Sequence, residues 1–155
     1  MGGKKSPWTL SSLVLAGSGV LLIGVGFYFL FLRPMLLPED IRYMNLTPAE
    51  LQSIGPRLGA WLTHVFRVMG GYIAATGILA VTLATTSFRE HHPVAVFGAM
   101  LGGAASIGWM AVVNFMINSD YKWVLLGMAL VWACSLLLFI RERALSSGEA
   151  RAMRR

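Results

Sequence analysis

Residues 9–32 read TLSSLVLAGSGVLLIGVGFYFLFL, and not one of them carries a charge. At 1.5 Å per residue a helix of this length spans the roughly 30 Å hydrocarbon layer of a bilayer. Lys4 and Lys5 in front of it resemble the start of a secretory signal peptide. The apolar stretch is too long for one, and no small-x-small cleavage site precedes Arg33-Pro34, so it is expected to stay as an anchor.

Three further uncharged runs follow at 68–86, 94–117 and 123–140, the first of them extended backwards by Trp61, Leu62, Val65 and Phe66. Isolated strands cannot cross lipid without leaving backbone groups unpaired, and no alternating barrel pattern is present, so all four runs are expected to be helices. The fold class is therefore all-α: a four-transmembrane-helix bundle forming one membrane domain over 1–155. Its helices are expected at about 9–32, 60–86, 94–117 and 122–141, with an interfacial segment at 34–57 and a basic tail at 142–155.

Composition agrees. Of 155 residues 56% are hydrophobic and 13% charged, against about 25% charged in soluble domains. The mean hydropathy is +0.66. A domain this small has too much surface for the deficit to reflect a large core, which leaves lipid as the solvent. The net charge of +6 does not point to nucleic acid, because the basic residues sit at the edges of the apolar runs. Cys134, the single cysteine, rules out an intrachain disulfide and reads as a small buried packing residue.

The basic residues also set a direction. With the N-terminus inside, the cytoplasmic ends hold Lys4, Lys5, Arg89, Arg141, Arg143, Arg151, Arg154 and Arg155, while Arg33, Arg42, Arg57, Arg67 and Lys122 lie opposite. The excess predicts both termini on the cytoplasmic side. The connections 87–93 and 118–122 are tight turns, so the last three helices are expected to pack antiparallel to their neighbours. The segment between Arg33 and Arg57 is too long for a bare loop. Thr47-Pro48-Ala49-Glu50 has the form of a capping box with proline in the first turn, and Leu51, Ile54 and Leu58 follow at helical spacing. A short amphipathic helix on the outer surface, or capping the bundle, is expected there, with Gly55-Pro56 starting the next long helix.

Helices in lipid associate through small residues rather than through hydrophobicity. Gly70, Ala74 and Gly77 mark one packing face, and Gly98, Gly102 and Ser106 another. The first helix carries Gly17 with Gly24 and Gly19 with Gly26; such faces read as ordinary packing within one bundle or as a dock for another subunit, for which the first helix, with its long connection, is the best placed to stand apart.

Polar residues at membrane depth are few, and each is a candidate site. His64 and Arg67 share a helix face near the outer end, where Asn114, Asn118, Asp120 and Lys122 also fall, and Glu39 and Asp40 of the first loop can fold over them. His64, Arg67, Asn114 and Asp120 are thus expected as an outer polar cluster. It reads either as a binding site for a polar head group or a partner, or as an arginine reaching the interface beside turn-capping residues. His64 is about 27 residues, roughly 40 Å at helical rise, from His91 and His92, so these cannot share a metal ion. His91-His92-Pro93 reads as a solvated turn. A tetrapyrrole ligated by His64, with Ala60 one turn earlier, is the weakest of the functional readings, and no cofactor is assigned.

No paired carboxylates, Ser/His/Asp set, zinc motif or phosphate loop is present, and no acidic residue lies within the four runs, which speaks against an enzyme or a proton-coupled carrier. Trp8, Tyr28, Trp61, Tyr72, Tyr121 and Trp123 fall mostly near helix ends, as interfacial anchors do.

Leu37-Pro38-Glu39-Asp40 after the first helix and His64-Val65-Phe66-Arg67-Val68-Met69-Gly70-Gly71 opening the second resemble the small four-helix bacterial inner-membrane proteins grouped as domains of unknown function. The resemblance covers about residues 10–140 and implies a bacterial inner-membrane location, but no catalytic residues. The expected function is a non-catalytic membrane subunit that packs against a larger membrane assembly, with other membrane subunits and lipid as partners. A binder of lipid or another amphiphile through the outer cluster is the alternative.

Overall fold

The computed structural model describes residues 8–53 and 55–152, without the side chains of 48, 51, 52 and 149–152. Lys4, Lys5, Ile54, Arg154 and Arg155 therefore lie outside the described residues, as do the side chains of Leu51 and Arg151. Among the described residues four helices are long and apolar enough to cross a membrane. They are α1 (Leu10–Leu32), α4 (Pro56–Thr85), α5 (Pro93–Met116) and α6 (Lys122–Ala152). Two short helices, α2 (Pro38–Met44) and α3 (Pro48–Ser53), fill the first connection.

Helix boundaries follow from local chemistry. Thr9 caps α1 by accepting from the Ser12 amide at 3.3 Å, while the Ser12 hydroxyl accepts from the Thr9 amide at 3.2 Å. Pro38, Pro48, Pro56 and Pro93 each occupy the first turn of a helix, where the missing N–H costs nothing. The Thr47 capping box forms, with the Glu50 carboxylate accepting from the Thr47 amide at 2.9 Å and hydroxyl at 2.7 Å. Those bonds, led by the hydroxyl's, hold the Glu50 carboxyl below its usual range. Only one short helix was expected in this connection. The second starts at the other Pro-acid signature, Pro38-Glu39-Asp40, and ends at Asn45, whose φ of 53° stops it.

We call the end of the bundle holding Thr9, the turn after α4 and Glu142 basal, and the end holding Arg33, Pro56 and Ser119 apical. Helix α1 occupies the centre, packed along its length against α4 and on another side against α6; α5 packs on α6 and meets α4 sparsely, through its first half, Pro93–Gly103. Of the two readings of its glycines, α1 follows packing within the bundle rather than standing apart. Gly19 faces Gly77, and Gly26 faces Gly70 and Ala74, so closely that a Cβ on Gly19 would stand 2.8 Å from the Gly77 carbonyl oxygen. Small residues on both helices permit backbone contact, and that contact holds α1 inside. Gly17 and Gly24 lie off this seam, with no atom within 4 Å of an added Cβ.

Of the other small-residue face, Gly98 and Gly102 likewise meet nothing within 4 Å. The buried stripe of α5 runs one position away, through Ala95, Ala99, Gly103 and Ile107. Trp132 of α6 sets it: its indole N–H donates to the Ala99 carbonyl at 2.9 Å, and the ring takes the space a side chain on Gly103 would need. At the basal end Glu142 accepts from the Ser11 amide (3.1 Å) and hydroxyl (2.5 Å) and pairs with His91 at 3.2 Å. His91 also lies against Phe139, with ring centroids 5.1 Å apart. The turn read as solvated is therefore partly buried at His91. Cys134, read as buried, is exposed on the outer face of α6.

Two stretches depart from regular α-helix. The last turn of α1, Tyr28–Leu32, and the middle of α5, Ala104–Gly108, are wider π-type turns. Such turns often occur at functional sites. Both border the same cavity.

A candidate amphiphile cavity between α4 and α5

Ala80 and Ala84 of α4 and Ala95 and Ala99 of α5 are buried in the basal half, and α4 and α5 flank a gap that Ala80 and Ala99 border. Toward the apical end larger residues face the gap, with Phe66, Met69 and Tyr72 on α4 and Trp109, Met110 and Val113 on α5. The gap becomes a cavity of about 960 Å³, with a floor formed by α1 (Leu21, Leu22, Gly24, Val25, Tyr28) and by α6 (Val124, Leu125, Met128). That is the upper end of the roughly 300–1,000 Å³ usual for small-molecule sites. A second cavity of about 380 Å³ shares Thr76, Ala105 and Ser106 with it and continues toward the basal end as far as Leu83. From Phe66 to Leu83 the combined groove follows α4 for about 25 Å at helical rise. Tyr72 and Trp109, both exposed, stand at its rim between the two helices.

The groove is hydrocarbon and aromatic along its length and polar at its apical end. There Arg33, Glu39 and Asp40 contribute to the wall, with Tyr28, Tyr121 and Asn114. Arg33 comes off the end of α1, and its guanidinium donates to Asp40 Oδ2 at 2.9 Å and to the carbonyls of Pro34 (3.0 Å) and Met35 (3.4 Å). Its face lies 3.5 Å from the centre of the Phe66 ring. The Arg33 side chain is 6% exposed and that of Asp40 18%, so this ion pair is buried. Asp40 also accepts from the Leu37 amide at 2.9 Å, which closes the first turn of α2. Glu39 is 3% exposed and accepts from the Ser119 hydroxyl at 3.1 Å, tying α2 to the turn between α5 and α6. Beside it Arg42 pairs with Asp120 at 2.9 Å. The first connection is thus folded over the apical mouth.

The four residues expected as an outer polar cluster do not assemble. His64 and Arg67 are exposed and make no hydrogen bond or ion pair among the described residues. Asp120 takes Arg42 rather than Arg67 as its partner. Asn114 donates to the Met110 carbonyl at 2.9 Å and lines the cavity. Of the packing residues, Ser106 turns its hydroxyl back to the Gly102 carbonyl at 2.5 Å and borders the cavity as well. Arg33, read as a flanking charge of the first run, is the buried residue that sequence reasoning missed. Its signal was the acidic Glu39-Asp40 pair one short loop away. Tyr28 and Tyr121, read as interfacial anchors, are cavity residues. Among the described residues no three His, Cys, Asp or Glu side chains come together as a metal-binding group would require.

No family model, curated protein or solved structure matches this chain.

Proposed function

We propose that this chain is an integral membrane protein that holds one membrane amphiphile, its tail along the groove between α4 and α5 and its polar head at the apical end. The observation that carries the proposal is the join of a long apolar groove to a polar, covered apical wall in one cavity of about 960 Å³. Bound amphiphiles need both. The bordering π turns at Tyr28–Leu32 and Ala104–Gly108 support it. In this reading the chain is non-catalytic, lies in a bacterial inner membrane as the resemblance implies, and has its basal end in the cytoplasm, following the excess of basic residues there.

Gly24 offers the test. It lines the cavity, and an added Cβ meets no atom within 4 Å. Gly24→Phe fills the groove without entering the α1–α4 seam, and leaving glycine in a helix favours folding. Native mass spectrometry after extraction in mild detergent is expected to find one retained amphiphile on the wild type and at least about tenfold less on the variant. Equal retention by both removes the groove as the site.

A second reading, that of a subunit packing against a larger assembly, is favoured by Gly98 and Gly102. They border the smaller cavity with open space beyond their backbone, which would let another membrane helix approach closely. A partner protein co-purifying with the wild type but not with Gly102→Phe would select it over the amphiphile.

A further inference from the structure

We propose that the head of the bound amphiphile is cationic, a primary ammonium seated against Glu39. The inference rests on the amphiphile reading above and adds the chemistry of the ligand. Three charged side chains contribute to the apical wall of the cavity: Arg33, Glu39 and Asp40. Arg33 is balanced by Asp40. Its two terminal nitrogens are shared between Asp40 and the Pro34 and Met35 carbonyls and its face lies on the Phe66 ring, while its buried Nε–H has no acceptor among the described residues, so an anionic head would meet a hydrogen-bond donor whose charge Asp40 already offsets. Asp40 is committed to Arg33 and the Leu37 amide.

Glu39 differs. It is 97% buried, since 3% of its surface is exposed, and its one hydrogen-bond donor is the neutral Ser119 hydroxyl. No cation lies within 4 Å of it among the described residues: Arg42 pairs with Asp120, and Lys122 is bonded to Asn118. A buried carboxylate is costly to keep without a positive partner. Among the described residues there is none, whereas a ligand in the adjoining cavity can supply one. The remaining apical wall suits the same guest. Tyr28 and Tyr121 line it with aromatic rings, which attract cations, and Asn114 donates one N–H to the Met110 carbonyl and keeps its side-chain oxygen as an acceptor. Among the described residues Arg33, whose charge Asp40 balances, is the one cation on that wall, against two carboxylates. The groove takes the hydrocarbon tail. The ligand class is a long-chain amine.

Three probes with one hexadecyl chain and different heads separate the possibilities: hexadecylamine, hexadecanol and hexadecanoate. Each is titrated at neutral pH into the full chain in mild detergent, with binding read from Trp109 fluorescence and from the mass of the complex. The amine is expected to bind at least about tenfold more tightly than the alcohol, and the carboxylate more weakly than either. Glu39→Gln is expected to erase the difference between amine and alcohol while alcohol binding persists, which also reports that the variant is folded. Equal binding of the three heads by the wild type, or an amine preference that survives in Glu39→Gln, overturns the assignment of the head and leaves the groove standing. Failure of all three to bind overturns the groove and this inference together. Because the comparison of heads is made on the wild type, it stands even if Glu39→Gln does not fold.

Discussion

Arg33→Ala is expected to destabilise the protein by about 3–5 kcal/mol, the cost of removing one partner of a buried ion pair. The Arg33 side chain is 6% exposed and Asp40 18%, so solvent screens the pair little. The substitution leaves the Asp40 carboxylate with the Leu37 amide alone, strips the cation from the Phe66 face, and frees the Pro34 and Met35 carbonyls. Each loss falls where α1 hands over to α2, so the fold of the first connection over the cavity should loosen as well. Lysine does not substitute. It provides one ammonium in place of a planar fork that reaches three acceptors while lying flat on an aromatic ring. The check is equilibrium unfolding in mixed micelles, followed by helical circular dichroism. Arg33→Lys is expected close to Arg33→Ala, and adding Asp40→Asn to Arg33→Ala should recover part of the loss because the orphaned charge is gone. A cycle with no coupling between the two positions would show that the pair contributes nothing.

The second large effect belongs to the α1–α4 seam, and it comes as a contrast of sign. Gly77→Ala places a methyl 2.6 Å from the Gly19 carbonyl oxygen and 2.8 Å from the Ile23 amide nitrogen. Backbone atoms of a neighbouring helix cannot rotate aside, so the helices must separate, at a cost of about 1–3 kcal/mol typical of overpacking. Gly71→Ala adds the same methyl where nothing lies within 4 Å, and is expected to stabilise by about 0.5–1 kcal/mol through the lower backbone entropy of alanine. The same unfolding measurement made on both variants checks this. Equal effects at the two positions would mean that the close approach is not what holds α1 in the centre.

Helix count and type were legible because they depend on local quantities. Charge-free runs of sufficient length, prolines in first turns and the Thr47–Glu50 box are each read within a few residues, and the structure has helices at those places. The order in which the helices pack was not legible. Gly17 and Gly24 have the same spacing as Gly19 and Gly26, and only the second pair meets α4. Spacing defines a stripe, whereas the face that is used depends on which partner can come to backbone distance. The α5 stripe shows the same limit, since Trp132, 29 positions beyond Gly103, decides which small residue is needed.

The candidate site was legible at its edges. That the first loop folds over the apical end follows from its length and its charges, and Glu39 and Asp40 do lie there. The partners were misassigned. Arg67 and Asp120 approach the same level of the bundle, but Arg42 on the covering loop reaches Asp120 and leaves Arg67 at the surface. The cavity itself had no sequence signal. It is lined by bulky residues of α4 and α5 such as Phe66, Tyr72 and Trp109, and bulk in a membrane helix reads the same whether it faces lipid, a neighbour or a gap.

The amphiphile reading presupposes that hydrocarbon, not water, surrounds the outer faces of these helices, and Cys134 can report it directly. It is the single cysteine, it is exposed, and it lies near the middle of α6, about 18 Å from Lys122 at helical rise. A nitroxide attached there in protein reconstituted into lipid vesicles should be relaxed strongly by oxygen, which partitions into the bilayer, and weakly by a water-soluble nickel chelate. Strong relaxation by the chelate and weak relaxation by oxygen would place that face of α6 in water and contradict the account.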